Sequence, residues 1–174
     1  KKSFDIEGFG PKQVEQVVDA GLVQTPVDFF TLTVGDLLQL ERFAEVSANK
    51  LINSINKSRE VDLEKMLVGL SIDNVGEETA FLLAKRFGEI NKIKDTGIEE
   101  LKAIDGIGDV VAESIFSWFK DEVNLEMLNL LLKEIKIRQA NSGNQNKKIE
   151  GKSFVLTGSL VNFSRDQAKD LIRN

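Results

Sequence analysis

Ile104-Asp105-Gly106-Ile107-Gly108 is the stretch whose residue types suit chemistry best, and that chemistry is anion binding. Two glycines flank one aliphatic residue, and apolar positions at Val111, Ile115 and Phe119 mark a helix beginning directly after. Glycine takes φ > 0 and has no Cβ, so such a turn lets its backbone approach a partner closely. The helix that follows aims unsatisfied N–H groups and its positive dipole end at the same place. Turn and helix together make a phosphate seat built from backbone. The commonest zinc ligands and any imidazole chemistry are excluded, because the 174 residues include neither Cys nor His.

The turn is one of four. Aligned on its second glycine are Ile6-Glu7-Gly8-Phe9-Gly10, Leu40-Glu41-Arg42-Phe43-Ala44 and Ile72-Asp73-Asn74-Val75-Gly76. The fifth residue falls at 10, 44, 76 and 108, a repeat of 34, 32 and 32 residues. Every copy has an aliphatic residue first, a carboxylate second and an apolar residue fourth. Behind each come apolar pairs at helical spacing: Val14 and Val17, Ala48 and Leu51, Ala80 and Leu83, Ala112 and Ile115.

A longer period lies over the short one. Phe29, Leu37 and Leu40 stand 64 residues before Ile93, Leu101 and Ile104, so residues 36–40 and 100–104 read as equivalent short helices. The repeats therefore form two paired units. Gly21 and Gly88 fit left-handed residues just past helices, and Pro26 marks a break. Asp62 and Asn124 are expected to N-cap helices carrying Leu63, Met66, Leu67 and Leu70, and Leu125, Leu128, Leu132 and Ile135. Residues 1–138 thus read as one compact, all-α domain.

Residues 139–148 are polar and lack apolar period, as in a linker. From 149 to 174 the pattern changes. Residues 152–157 predict a strand, and Ser164-Arg165-Asp166-Gln167 opens a helix with Ala168, Leu171 and Ile172. One strand and one helix make no independent core, so this segment is expected to be an incomplete α/β domain.

Charge argues against bulk attraction to nucleic acid. The chain has net charge −5; residues 139–174 carry six Lys/Arg and three Asp/Glu, leaving 17 basic and 25 acidic groups in 1–138. A nucleic-acid contact here must come from local amides, with weak binding and a shallow salt dependence. No apolar run is long enough to span a membrane.

The pattern of apolar residue, x, Gly, apolar residue, Gly and helix resembles the helix–hairpin–helix motif of DNA-repair and replication proteins. Four such copies, a linker and Gly151-Lys152-Ser153-Phe154-Val155-Leu156-Thr157-Gly158-Ser159-Leu160 resemble the C-terminal region of bacterial NAD-dependent DNA ligases. There a tandem helix–hairpin–helix domain precedes a BRCT domain. Phe4-Asp5-Ile6-Glu7-Gly8-Phe9-Gly10 and Val75-Gly76-Glu77-Glu78-Thr79-Ala80 are especially similar. The resemblance implies sequence-independent binding of nicked double-stranded DNA across the minor groove, in support of nick sealing. It implies a cytoplasmic bacterial enzyme acting at the nucleoid in replication and repair. Adenylation, OB-fold and zinc-finger domains would lie upstream, with NAD, Mg and Zn used by the complete enzyme. No catalytic residue, cofactor or metal ligand is expected in this segment; Lys94-Asp95-Thr96-Gly97 has the wrong order for the ligase Lys-x-Asp-Gly setting.

Carried onto this chain, the phosphate contacts fall on Gly8, Gly10, Gly106 and Gly108, the copies with both glycines. Lys12 adds a charge behind Pro11, and copy three offers Gly76 and the Thr79 hydroxyl. Copy two, with Arg42 and Ala44, departs furthest and reads as a structural turn, the Arg42 side chain being its one remaining route to DNA. Glu45, Glu77 and Asp109 oppose the phosphate reading: in a first helical turn they complement the dipole and repel anions. Trp118 reads as core rather than a base-stacking surface. Neither Gly-x-Gly pair has the third glycine of a dinucleotide fingerprint, and Gly151-Lys152-Ser153 lacks the first glycine of a P-loop. The other readings are a DNA-binding scaffold of a repair nuclease or recombination subunit, and a BRCT-type protein-interaction module.

Overall fold

The computed structural model describes Phe4, residues 6–138, Val155 and Ala168. The chain divides into two units, Lys1–Gln139 and Ala140–Asn174. The linker expected over 139–148 and nearly all of the segment expected over 149–174 lie outside the described residues. Of that segment, Val155 is exposed and outside regular structure, and Ala168 is helical and buried.

The first unit runs α1 (Pro11–Asp19), a 3-10 turn (Asp28–Phe30), α2 (Val34–Leu38), α3 (Glu45–Lys57) and β1 (Glu60–Asp62). It continues through α4 (Leu63–Gly69), α5 (Glu77–Phe87), α6 (Ile90–Asp95), α7 (Ile98–Lys102), α8 (Asp109–Trp118), α9 (Glu122–Glu134) and β2 (Lys136–Arg138). The unit is mostly helical, as the apolar spacing predicts. Val17, Ala48, Leu51, Ala80, Leu83, Ala112 and Ile115, one stripe from each repeated helix, are all buried in one core. Burying a Leu or Ile there contributes about 1.5–3 kcal/mol. The 64-residue period is exact in the backbone: α2 and α7 share both boundaries at that offset, and Leu37 and Leu101 are both fully buried.

Helix ends are held locally. Thr33 and Asp36 form a capping box on α2. The hydroxyl and N–H of Thr33 hold the Asp36 carboxyl below its ordinary value. The N–H groups of Gln24 and Thr25 do the same for Asp28. Gly21 and Gly88 take the left-handed conformation expected of them, at φ +71° and +69°.

Two expected caps differ. Asp62 occupies the N-cap position of α4, but its carboxylate makes no cap and accepts two bonds from Arg138. Helix α9 starts before Asn124, because the Asp121 side chain accepts the Asn124 N–H and is the true cap.

The helical unit also contains one short parallel strand pair, with Glu60, Val61 and Asp62 opposite Lys136, Ile137 and Arg138. Opposite charges face each other at both ends of the pair, a favourable cross-strand arrangement. Just before β1, Arg59 donates to the Glu134 carboxylate and carbonyl and to the Phe30 carbonyl. This clasp ties the end of α9 to the segment after α3 and to the 3-10 turn.

Candidate nucleic-acid interface

The four turns share one backbone. In each, residue four donates its N–H to the carbonyl of residue one: Phe9 to Ile6, Phe43 to Leu40, Val75 to Ile72 and Ile107 to Ile104, at 3.0–3.4 Å. Residue three is left-handed throughout, with φ of +78° at Gly8, +65° at Arg42, +64° at Asn74 and +90° at Gly106. That combination is a type II turn. Residue five is extended and is the N-cap of the following helix, at Gly10, Ala44, Gly76 and Gly108.

Glycine at residue five therefore needs its own explanation. The φ values at Gly76 and Gly108 are −96° and −83°, open to any residue. A Cβ at either would meet nothing within 4 Å, and one at Gly10 would meet only the flexible end of Gln13 at 3.0 Å. Neither backbone conformation nor packing within the chain demands glycine here. A bare backbone at an exposed helix start instead leaves room for an external group to reach the N–H donors.

Copy two closes that door. The Ala44 N–H donates to Ser47 Oγ at 2.9 Å, and Ser47 Oγ donates back to the Ala44 carbonyl at 2.7 Å. Its turn geometry is intact, but the N–H at residue five is used internally.

The hairpins associate in pairs by a rule that spacing alone did not reveal. In three of the four copies the residue six positions beyond the fifth turn residue reaches the partner hairpin. Gln16 donates to the Glu41 carbonyl at 2.7 Å. Ser114 Oγ accepts from Asn74 Nδ2 at 3.0 Å. A Cβ at Gly106 would stand 3.0 Å from Leu82, so that turn is glycine for both φ and space. Lys50 lines one cavity with Gly8. Copies one and two thus form one pair, and copies three and four the other. The signal was present as a fixed offset, but Gln, Lys, Leu and Ser share no chemistry that would have drawn attention to it.

Each candidate residue falls on a hairpin or on the helical turn behind it. Gly8, Gly76, Gly106 and Gly108 are exposed, as is Lys12 in the first turn of α1; Gly10 and Thr79 are half-buried. The carboxylate at copy four is drawn away: Lys102 of α7 reaches Asp109 at 3.1 Å. That hydrogen bond, with the carboxylate charge, holds the Lys102 ammonium above its ordinary value. Sequence reading missed Lys102 because it precedes the turn on a different helix. Trp118 is half-buried, edge-on to Phe119 with centroids 4.9 Å apart, and packs on the core.

Among the described residues, no group of three or more acidic, His or Cys side chains is placed to hold a metal ion. Nor is any helix among them long and apolar enough to cross a membrane.

The helix-hairpin-helix motif family matches residues 65–128, the span containing copies three and four. Over 176 aligned positions the chain is 40% identical to a DNA ligase of Parabacteroides distasonis. The chain is thus similar to a DNA ligase over nearly its whole length. The alignment takes in 99% of this chain and 26% of that ligase, so the chain spans about a quarter of its relative's length. Similarity to a ligase, together with the helix-hairpin-helix match and the mostly helical fold, is consistent with the C-terminal region of such an enzyme.

Proposed function

We propose that this chain holds nicked double-stranded DNA for a ligase, gripping phosphates across the minor groove with backbone amides of its hairpins. The observation that carries this reading is the bare residue five. Gly76 and Gly108 stand at exposed helix starts where nothing inside the chain requires glycine. Amide contacts to phosphate position a protein without reading bases, which suits an enzyme that seals nicks in any sequence. Copies one, three and four supply the contacts through Gly8, Gly10, Lys12, Gly76, Thr79, Gly106 and Gly108. Copy two acts as the structural partner of copy one.

Ligation itself belongs to the parent enzyme in this reading. In the same reading, adenylation with NAD and the magnesium and zinc chemistry are assigned to other domains of that enzyme. Titrating the chain with nicked duplexes of unrelated sequence tests the proposal. Affinities agreeing within about threefold are expected, because phosphate contacts carry no base information. Strong sequence preference, or binding confined to residues 139–174, would contradict it.

A further inference from the structure

A cavity of about 680 Å³ lies between hairpin one and α3, with Gly8 in its wall. Lys50, Lys57, Lys65 and Arg138 line it against the carboxylates of Glu7 and Glu60. In a segment whose net charge is −8, this is a local reversal of sign. Two of the four cations are committed: Arg138 binds Asp62 at 2.9 Å, and Lys65 lies 3.7 Å from the same carboxylate. Lys50 and Lys57 are exposed and form no ion pair among the described residues.

We propose that Lys50 and Lys57 form a second, side-chain-based phosphate site for the same DNA backbone, continuous with hairpin one. The inference rests on the reading above that the hairpins hold DNA. The two lysines lie seven residues apart on one helix, about 10 Å along its axis. That is the axial rise of about three nucleotides of a duplex strand. Lys50 also occupies the position at which the other copies place Gln16, Leu82 and Ser114 against a partner hairpin. Copy two has given its residue-five amide to Ser47, and it offers a cation beside hairpin one instead. A phosphodiester fits the site better than a buried small molecule, because the cavity is open and its two cations outside ion pairs are point charges.

The test compares three variants of the whole chain by titrating labelled nicked duplex over a range of salt concentrations. In Lys50→Gln/Lys57→Gln, the slope of log K against log salt should shrink by about 1.8, or 0.9 for each lost phosphate contact. The control pair Lys85→Gln/Lys133→Gln removes the same charge elsewhere and should shrink it by less than half as much. Circular dichroism melts should be unchanged for both, since all four lysines are exposed. Equal slopes for the two pairs would overturn the second site. Gly108→Leu separates this failure from that of the hairpin reading. If it weakens binding while Lys50→Gln/Lys57→Gln leaves the slope intact, only the groove proposal fails. If it leaves binding intact, the hairpin reading fails; a chain that binds no duplex overturns both.

Discussion

Arg42 and Gly106 hold the same place in their turns and meet its demands differently. A left-handed residue with a Cβ costs about 1–2 kcal/mol, and Arg42 bears that cost at φ +65°. Arg42→Gly relieves the strain but makes the unfolded chain freer, so a net gain of about 0.5–1 kcal/mol is expected from chemical denaturation. Gly106→Ala runs the other way. It adds a Cβ at φ +90° and 3.0 Å from Leu82, and should cost about 2 kcal/mol or more. Equal and opposite effects are not expected, because Leu82 adds a clash that Arg42→Gly has no counterpart for. Much of this scale was legible beforehand. The repeat located all four turns, and Asn, the residue at 74, tolerates the left-handed region better than most. Arg42 did not, since no local rule favours Arg at φ > 0; tertiary pairing with copy one holds it there.

At the scale of elements, packing stripes were readable because burial imposes a helical period on Val17, Leu51, Leu83 and Ile115. The strand pair was not readable: three-residue strands leave no period, and their partners are separated by 76 residues. The same distance hid Arg138 as the partner of Asp62, so the carboxylate looked like a cap. Arg59 was hidden likewise, and it is the clasp's main anchor. Arg59→Ala leaves the Phe30 and Glu134 carbonyls and the Glu134 carboxylate short of a donor. A loss of about 2–3 kcal/mol is expected, the range for hydrogen bonds from a charged group. The exposed Asp62–Arg138 pair should contribute at most about 1 kcal/mol. A melt in which Asp62→Asn proves more damaging than Arg59→Ala would reverse that ranking.

Short helices and their leading turns also respond to acid. Asp28 and Asp36 have carboxyls held below the ordinary value, so each is more easily kept ionised in the folded chain than in the unfolded one. Their contribution is present above the unfolded value of about 3.9 and is lost as pH falls through the lower folded value. Melting temperature should therefore decline below about pH 4, and Asp28→Asn and Asp36→Asn should each flatten the decline. An unchanged pH profile in both variants would mean these caps carry no linkage.

For the whole molecule, composition pointed to amides rather than cations, and the hairpin backbones provide a physical basis for that. A net acidic unit can still bind a polyanion where a few N–H groups are aimed outward and the nearest carboxylate is occupied, as Lys102 occupies Asp109. What composition concealed was the cation-lined groove, because Lys50, Lys57, Lys65 and Arg138 meet only after folding. Gly97 supplies an internal reference for the central claim. It too is an extended N-cap with nothing within 4 Å of a built Cβ, but it starts α7 and follows no hairpin. The decisive measurement is the affinity of the chain for nicked duplex with Leu at Gly76 and Gly108 together, against Leu at Gly97 alone. Blocking the two hairpins should weaken binding at least about tenfold, the equivalent of one charge-assisted hydrogen bond, while Gly97→Leu leaves it unchanged. Equal affinity for the two variants, with both folded, would contradict a grip made by hairpin amides.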